Sequence, residues 1–335
     1  MTRLVSLIVP NRNGAATIGR CLEAVFRSSY GSIELIVVDD HSADDSVQVI
    51  RQYPCVLLRL ESHDGAAAAR NAGAERASGD VLFFIDADCL LQTDTIALAV
   101  DSLAREGAAA LIGGTYTLEP ADSDFFSRFQ SVFINYFETR RAPACDYIAT
   151  HALAIDAAVF RASGGFDEGV RPILEDVEFS HRLRNAGCRL VMNPAIRVQH
   201  IFNFSLTRSL RNAFVKSLHW TRYTIDHRNL LTDSGSASLG LKLNVLVLAG
   251  SAGLLSAFVL TRNMAFLVVL VLALAANLFV NRGLLLAFYR ARSLGFALGA
   301  TLYYLLPYAF AVGVGAGVGM LRHLFSRLVS PRGRA

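Results

Sequence analysis

Three stretches near the carboxyl end, Leu241–Leu260, Met264–Val280 and Leu294–Leu321, are nearly free of charge, and nothing else in the chain constrains its fold so strongly. About 20 apolar residues take a helix across a bilayer, and these segments bracket that length. Backbone in hydrocarbon must satisfy its own hydrogen bonds, which leaves helices as the solution here. Only Thr261-Arg262-Asn263 separates the first two, so a tight helical hairpin is expected. Arg282, Arg290 and Arg292 stand before the third, and residues 283–292 read as a cytoplasmic loop under the positive-inside tendency. Arg322, Arg327, Arg332 and Arg334 conflict with that tendency if three spans start from the cytoplasm. Either the third stretch, which holds Pro307, re-enters, or Leu284–Phe288 belongs to a further partial span.

The apolar share of 53% against 18% charged residues reflects this region alone, since residues 1–235 read as a water-soluble α/β domain. The net charge of +4 comes from arginines around and beyond the apolar segments, which suits a membrane flank and gives no basic groove for nucleic acid. Cys21, Cys55, Cys89, Cys145 and Cys188 are scattered without metal-like spacing and are expected as free thiols of a reducing compartment. Leu4–Val9 is too short for a secretory h-region, so the soluble part is expected to stay in the cytoplasm. Arg208, Arg211, Lys216, Arg222 and Arg228 interleave with Leu206, Leu210, Phe214, Leu218, Trp220 and Tyr223, a pattern for a helix lying in the bilayer interface. The expected division is a domain over 1–204, an interface region over 205–235 and a membrane region over 236–335, with spans near 241–260, 264–280 and 294–321.

Within the soluble part, strands and helices alternate. Strands are expected at Leu4–Val9, Glu34–Val38, Val56–Leu60 and Val81–Ile85, and helices over 15–29, 44–53 and 65–77 and from Thr93 or Asp94 to Arg105. That alternation predicts an α/β fold with a mostly parallel, doubly wound sheet. Beyond residue 108 the pattern loosens: a strand at 109–116, helices at 123–140, 156–163 and 175–186, and short strands at 189–192 and 196–200. Asp86-Ala87-Asp88 ends the fourth strand. Strand periodicity would aim both carboxylates to one side, at the sheet edge where open α/β folds bind ligands. A carboxylate pair suits a hard divalent cation.

Six motifs occur in order: Val9-Pro10-Asn11-Arg12-Asn13-Gly14, Val37-Val38-Asp39-Asp40-His41-Ser42, Ala69-Arg70-Asn71-Ala72-Gly73, Asp86-Ala87-Asp88, Gly164-Gly165-Phe166-Asp167 and Leu174-Glu175-Asp176-Val177-Glu178. In this order and spacing the chain, from residue 4 to about 205, resembles the inverting family 2 glycosyltransferases with a GT-A nucleotide-binding fold. The resemblance implies a nucleotide-diphosphate sugar donor bound by Pro10, Asn11, Arg12, Asn13, Asp39, Asp40, Arg70 and Asp86. Asp40 would contact the base, Pro10 and Arg12 would wall it, and Arg70 would lie near the diphosphate. A divalent metal, Mg2+ or Mn2+, would be held by Asp88 with Asp86 and His200. Asp176 would be the base that takes the acceptor's proton, and Glu175 would orient or bind the acceptor. Helix capping is the plainer alternative for Asp39, Asp40, Glu175 and Asp176.

Departures from the family pattern narrow the reading. Arg12 stands where many relatives have an aromatic residue, Leu174 where many have glycine and His151 where many have asparagine. No Gln-x-x-Arg-Trp follows Asp176, which argues for transfer of one sugar rather than polymer synthesis. The expectation is a multi-pass inner-membrane transferase with a cytoplasmic catalytic domain, a UDP-sugar donor in preference to a GDP-sugar, and a lipid or lipid-linked saccharide acceptor. A non-catalytic nucleotide-sugar-binding module and a transferase with a soluble acceptor are the alternatives. A nucleotidyltransferase would need a basic glycine-rich loop after the first strand, which Asn11–Ala16 is not.

Overall fold

The structure, a computed structural model, describes residues 2–227 and 232–329, with side chains as far as Phe325. The chain divides into two compact units, Met1–Ser123 with Glu138–Asn203, and Asp124–Phe137 with Phe204–Ala335. Arg228, Arg332 and Arg334, and the side chain of Arg327, lie outside the described residues.

The first unit is built on one mixed sheet with strand order β3-β2-β1-β4-β7-β6-β8-β5. Its elements run β1 (Val5–Asn11), α1 (Ile18–Phe26), β2 (Ile33–Asp39), α2 (Ser46–Ile50), β3 (Val56–Arg59), α3 (Ala66–Arg76), β4 (Val81–Phe84), β5 (Cys89–Leu91), α4 (Thr95–Glu106) and β6 (Ala110–Tyr116). After α5 (Phe125–Thr139) come β7 (Leu153–Asp156), α6 (Ala157–Ala162), α7 (Glu175–Asn185) and β8 (Arg189–His200). Strands β3, β2, β1 and β4 are parallel neighbours, and β1, β2 and β4 are mostly apolar because both faces of such a sheet are covered. Ile8, Ile36, Leu82, Phe84 and Ile155 pack under Ala69 of α3, Phe160 of α6 and Phe179 and Leu183 of α7.

The chain steps outward from β1 to β3 and then resumes at β4 on the other side of β1. A crevice opens at such a switch point, outside the carboxyl ends of the strands. Strand β7 runs antiparallel to β4 with Leu153 opposite Phe84, so its amino end reaches the same edge. Strand β8 is parallel to β6 and ends there too, with His200 opposite Cys89 of the antiparallel β5. One edge therefore gathers Asn11, Asp39, the Asp86–Asp88 segment, Tyr116, the turn before Leu153, and His200.

Several local expectations change. Strand β4 stops at Phe84, and Asp86 and Asp88 lie in the turn to β5, closed by the Cys89 amide donating to the Asp86 carbonyl at 3.0 Å. That turn, and not strand alternation, therefore sets where the two carboxylates lie. Strand β8 is one element where two were expected, its pairing with β6 shifting register between Gly113 and Thr115. Helices α1 and α2 are shorter than expected, because Asp44 accepts from the Ala15 and Ser46 amides and holds both approaches as turns. Neither Thr93 nor Asp94 caps α4 with its side chain. Thr95 does the local work, accepting from the Gln92 amide and donating to the Arg197 carbonyl.

In the second unit, α8 (Leu206–Asp226), α9 (Leu239–Thr261), α10 (Ala265–Ala291), α11 (Leu294–Tyr303) and α12 (Ala309–Val329) join Asp124–Phe137. Leu239–Thr261, Ala265–Ala291 and Leu294–Phe325 are long and apolar enough to cross a membrane. Their outer faces suit lipid; Leu260, for example, is 84% exposed. The expected loop over 283–292 is helix as far as Ala291: Asn277, Asn281, Leu284 and Phe288 continue one buried stripe of α10 at helical spacing. Leu284–Phe288 therefore belongs to the second apolar helix and to no further span. Pro307 does not break the third stretch, because Tyr304–Tyr308 forms a π-helical turn around it, which absorbs the missing donor.

Asn244 donates to the Tyr304 carbonyl, Asn277 donates to Asn244, Asn281 donates to Asn277, and the Tyr304 hydroxyl donates to Asn281, all at 2.8–2.9 Å. This closed polar network ties α9, α10 and the π turn where water is excluded. Helix α8 packs its Phe214 and Leu218 backbone against Gly315 and Gly319 of α12, where any side chain would collide, a close approach that small residues permit. Arg208, Arg211, Lys216 and Arg222 remain exposed on α8.

Candidate active site

The predicted residues fall into three groups. Asn11 and Asp39 are fully buried and bind each other, with Asn11 Nδ2 donating to Asp39 Oδ1 at 3.0 Å. Asp39 also accepts from the Ser42 amide, and Asn13 Oδ1 accepts from the Ala43 amide. These three knit the ends of β1 and β2 together and shape the rim, where Arg12 and Asn13 are exposed and Pro10 is half-buried.

Asp40, 3% exposed, follows β2 and accepts three hydrogen bonds from one loop: Asp64 N–H at 2.8 Å, Gly65 N–H at 3.1 Å and His63 Nδ1 at 2.7 Å. Arg12 Nη1 donates to His63 Nε2 at 2.7 Å. An arginine only donates, so His63 Nε2 is the acceptor and its proton sits on Nδ1. His63 had no signal in the sequence, being an isolated histidine in a loop.

Arg70 decides the geometry of the rest. It is 4% exposed and not a solvated charge. Nη2 donates to Asp86 Oδ1 at 2.8 Å and Nη1 to Glu175 Oε1 at 2.6 Å. A single guanidinium thus joins the turn after β4 to the first residue of α7, and Asp176 follows directly. Burial would raise the Asp86 pKa, but Arg70, with His151 and His200, holds it below the ordinary carboxylate value. Asp176 is pushed the other way, to about 7, by burial first and Glu175 second. Its Oδ1 accepts from the Val177 amide at 2.8 Å. Among the described residues no cation pairs with it. A carboxyl so placed is poised for proton transfer near neutral pH.

Leu174, at the start of α7, has a φ of +83°, a left-handed conformation that costs a leucine about 1–2 kcal/mol. That explains why glycine is usual there. Gly165, with φ +74°, has no room for a side chain beside Asn71. Asn71 holds the turn by pairing with both the amide and the carbonyl of Phe166 at 2.9 Å. Arg182 donates to the carbonyls of Ser163 and Gly165. Neither role was legible in the sequence.

The third group surrounds Asp88. His200 Nε2 lies 3.4 Å from Asp88 Oδ1, and ligand atoms of Asp88, Cys89 and His200 come within 4.8 Å of one another. Burial first, then Asp88 and Asp86, holds the Cys89 thiol well above its ordinary pKa. The carboxylate and the imidazole are both donors to divalent cations, the carboxylate suiting Mg2+ or Mn2+. Burial and the neighbouring Asp86 raise the Asp88 carboxyl to about 7. Asp86, predicted with them, turns Oδ1 to Arg70 and stands outside this cluster. The His200 ring stacks on Phe202 at 3.9 Å and meets Tyr116 edge-on at 5.0 Å. Buried His151 stacks on the other side of the group, 4.1 Å from Tyr116, with Nε2 3.5 Å from Glu138.

Residues 6–163 match the family model described as glycosyl transferase family 2. The chain carries a family 2 glycosyltransferase domain. Glycosyltransferase GlyG of Streptococcus pneumoniae serotype 4 is 28% identical over 131 residues, 38% of this chain and 44% of that protein. The UDP-Glc:alpha-D-GlcNAc-diphosphoundecaprenol beta-1,3-glucosyltransferase WfgD of Escherichia coli is 27% identical over 113 residues, 33% of this chain and 45% of that protein. The chain thus spans less than half the length of either relative. The mannosyltransferase PcManGT from Pyrobaculum calidifontis, solved in complex with GDP-Man and Mn2+, matches with a TM-score of 0.60 and 18% identity, over 98% of this chain and 88% of that one. The glycosyltransferase domain has the GT-A fold, and among the described residues three long apolar helices follow it.

Proposed function

We propose that the protein is a membrane-anchored, inverting glycosyltransferase that moves one sugar from a nucleotide-diphosphate donor to a lipid or lipid-linked saccharide. The observation that supports this is the Asp86–Arg70–Glu175 bridge, which ties the turn carrying Asp88 to the start of α7, where Asp176 follows Glu175. The acceptor hydroxyl oxygen attacks the anomeric carbon, the bond to the nucleoside diphosphate breaks, and Asp176 takes the hydroxyl proton. No protein nucleophile is needed. Arg70 orients Glu175 and Asp86 at the two ends of the donor. Asp88 and His200 would hold a divalent cation, which when bound supplies charge neutralisation at the diphosphate. The GDP-Man and Mn2+ bound to PcManGT and the diphosphoundecaprenol acceptor in the name of WfgD support the reading. The apolar helices and the exposed arginines of α8 support an inner-membrane, multi-pass protein whose catalytic domain faces the cytoplasm.

Purified full-length protein, given extracted membrane lipids, Mn2+ and a panel of nucleotide sugars, should produce a lipid heavier by one sugar. Donor binding without turnover on the whole panel would make it a binding module instead. Asp88→Ala should abolish the Mn2+-dependent gain in donor affinity, read by calorimetry with and without chelator. Equal donor affinity in the two conditions for the unaltered protein would remove the metal from the scheme.

A further inference from the structure

The loop after β3 limits what Asp40 can recognise. A carboxylate offers about four acceptor positions. Among the described residues, Oδ2 of Asp40 is filled by His63 Nδ1 and Gly65 N–H, while Oδ1 accepts only Asp64 N–H. One position remains, on Oδ1. Uracil presents a single imide N–H, flanked by carbonyls, to such a partner. Guanine presents N1–H and an amino group side by side and needs both oxygens. Cytosine would set its N3 lone pair against the carboxylate.

We propose that His63 is a nucleobase-selectivity residue: by occupying Oδ2 of Asp40 it favours a base edge with a single imide N–H, as uracil presents in a uridine diphosphate, over the two-donor edge of guanine. The assignment rests on Asp40 as the partner of the base in the proposed donor site. Two features make His63 a determinant and not a loop filler. Its tautomer is set from outside, because Arg12 donates to Nε2 and obliges Nδ1 to donate to Asp40. Its side chain is also 46% exposed, whereas that of Asp40 is 5% exposed. Arg12 keeps further N–H donors, available to the carbonyls that flank the uracil imide.

The test is calorimetric titration of the full-length protein with UDP, GDP and CDP in the presence of Mn2+, for the unaltered protein, His63→Ala and His63→Gln. The unaltered protein should favour UDP over both others. His63→Ala should lower the UDP:GDP preference by about tenfold, the worth of one hydrogen bond at the second oxygen, mainly by a gain in GDP affinity. His63→Gln, whose amide can donate to Oδ2, should keep most of the preference. A ratio unchanged in His63→Ala, including equal weakening for all three nucleotides, overturns the proposal, since that is the signature of loop support alone. A preference for GDP in the unaltered protein overturns it as well. Binding of none of the three would overturn the donor-site reading as a whole, a failure distinct from an unchanged ratio.

Discussion

Asp176→Asn is expected to lower sugar transfer by about 10³-fold, within the range for loss of a general base, while UDP and Mn2+ binding stay as they were. The amide matches the carboxylate in shape and keeps an oxygen for the Val177 amide, so only proton acceptance is lost. Stability should not fall. Burial and Glu175 raise this carboxyl to about 7, so the folded state prefers it protonated. Its contribution to stability is present at acid pH and is lost as pH rises toward and through 7, and a neutral amide avoids that loss. The same shift sets the rate profile. At saturating metal, kcat/KM should fall as pH drops below about 7, because the base becomes protonated. Undiminished turnover in Asp176→Asn, or a flat profile from pH 6 to pH 8, would assign the proton to another group.

Arg70→Met should be the most damaging single change to folding. It leaves Asp86 and Glu175 facing each other without their cation. Breaking a buried ion pair from one side costs about 3–5 kcal/mol, and the 33% exposure of the Asp86 side chain puts the cost at the lower end. Thermal unfolding should move down clearly, and adding Glu175→Gln should recover part of the loss by removing one orphaned charge. Arg70→Lys should not rescue, since an ammonium cannot fork to two carboxylates in fixed directions. A melting temperature equal to that of the unaltered protein would mean that Arg70 does not hold these elements together.

Much of this was legible in residues. Apolar runs bounded by turn residues located β1, β2 and β4, and the motifs at their carboxyl ends marked the crevice, because in a parallel sheet all those ends share one edge. What escaped depended on pairing between distant segments. Strand β5 has three residues, too few for a periodic signal, yet its register with β8 brings His200 to Asp88 across more than a hundred positions. Arg70 reads as one more charge on an alanine-rich helix until Asp86 and Glu175 are seen on either side of it. The bond from Asn11 to Asp39 was not legible either, since it depends on how closely the ends of β1 and β2 lie. His63 and Glu138 carry no motif at all.

Helix α5 has a practical consequence for anyone hoping to work with the sugar-transferring part in water. Its residues up to Phe137 group with the apolar helices, where Phe129 and Phe133 are fully buried against Phe288, Tyr304 and Tyr308. Its next residue, Glu138, instead grips Thr115 and His151 near the catalytic centre. Severing the polypeptide after Asn203 would keep this helix but strip away the aromatic rings that cover it, leaving a greasy stripe on the fragment. Detergent is therefore called for by a segment that precedes the first span by about a hundred residues, and the shortest faithful preparation is the whole chain.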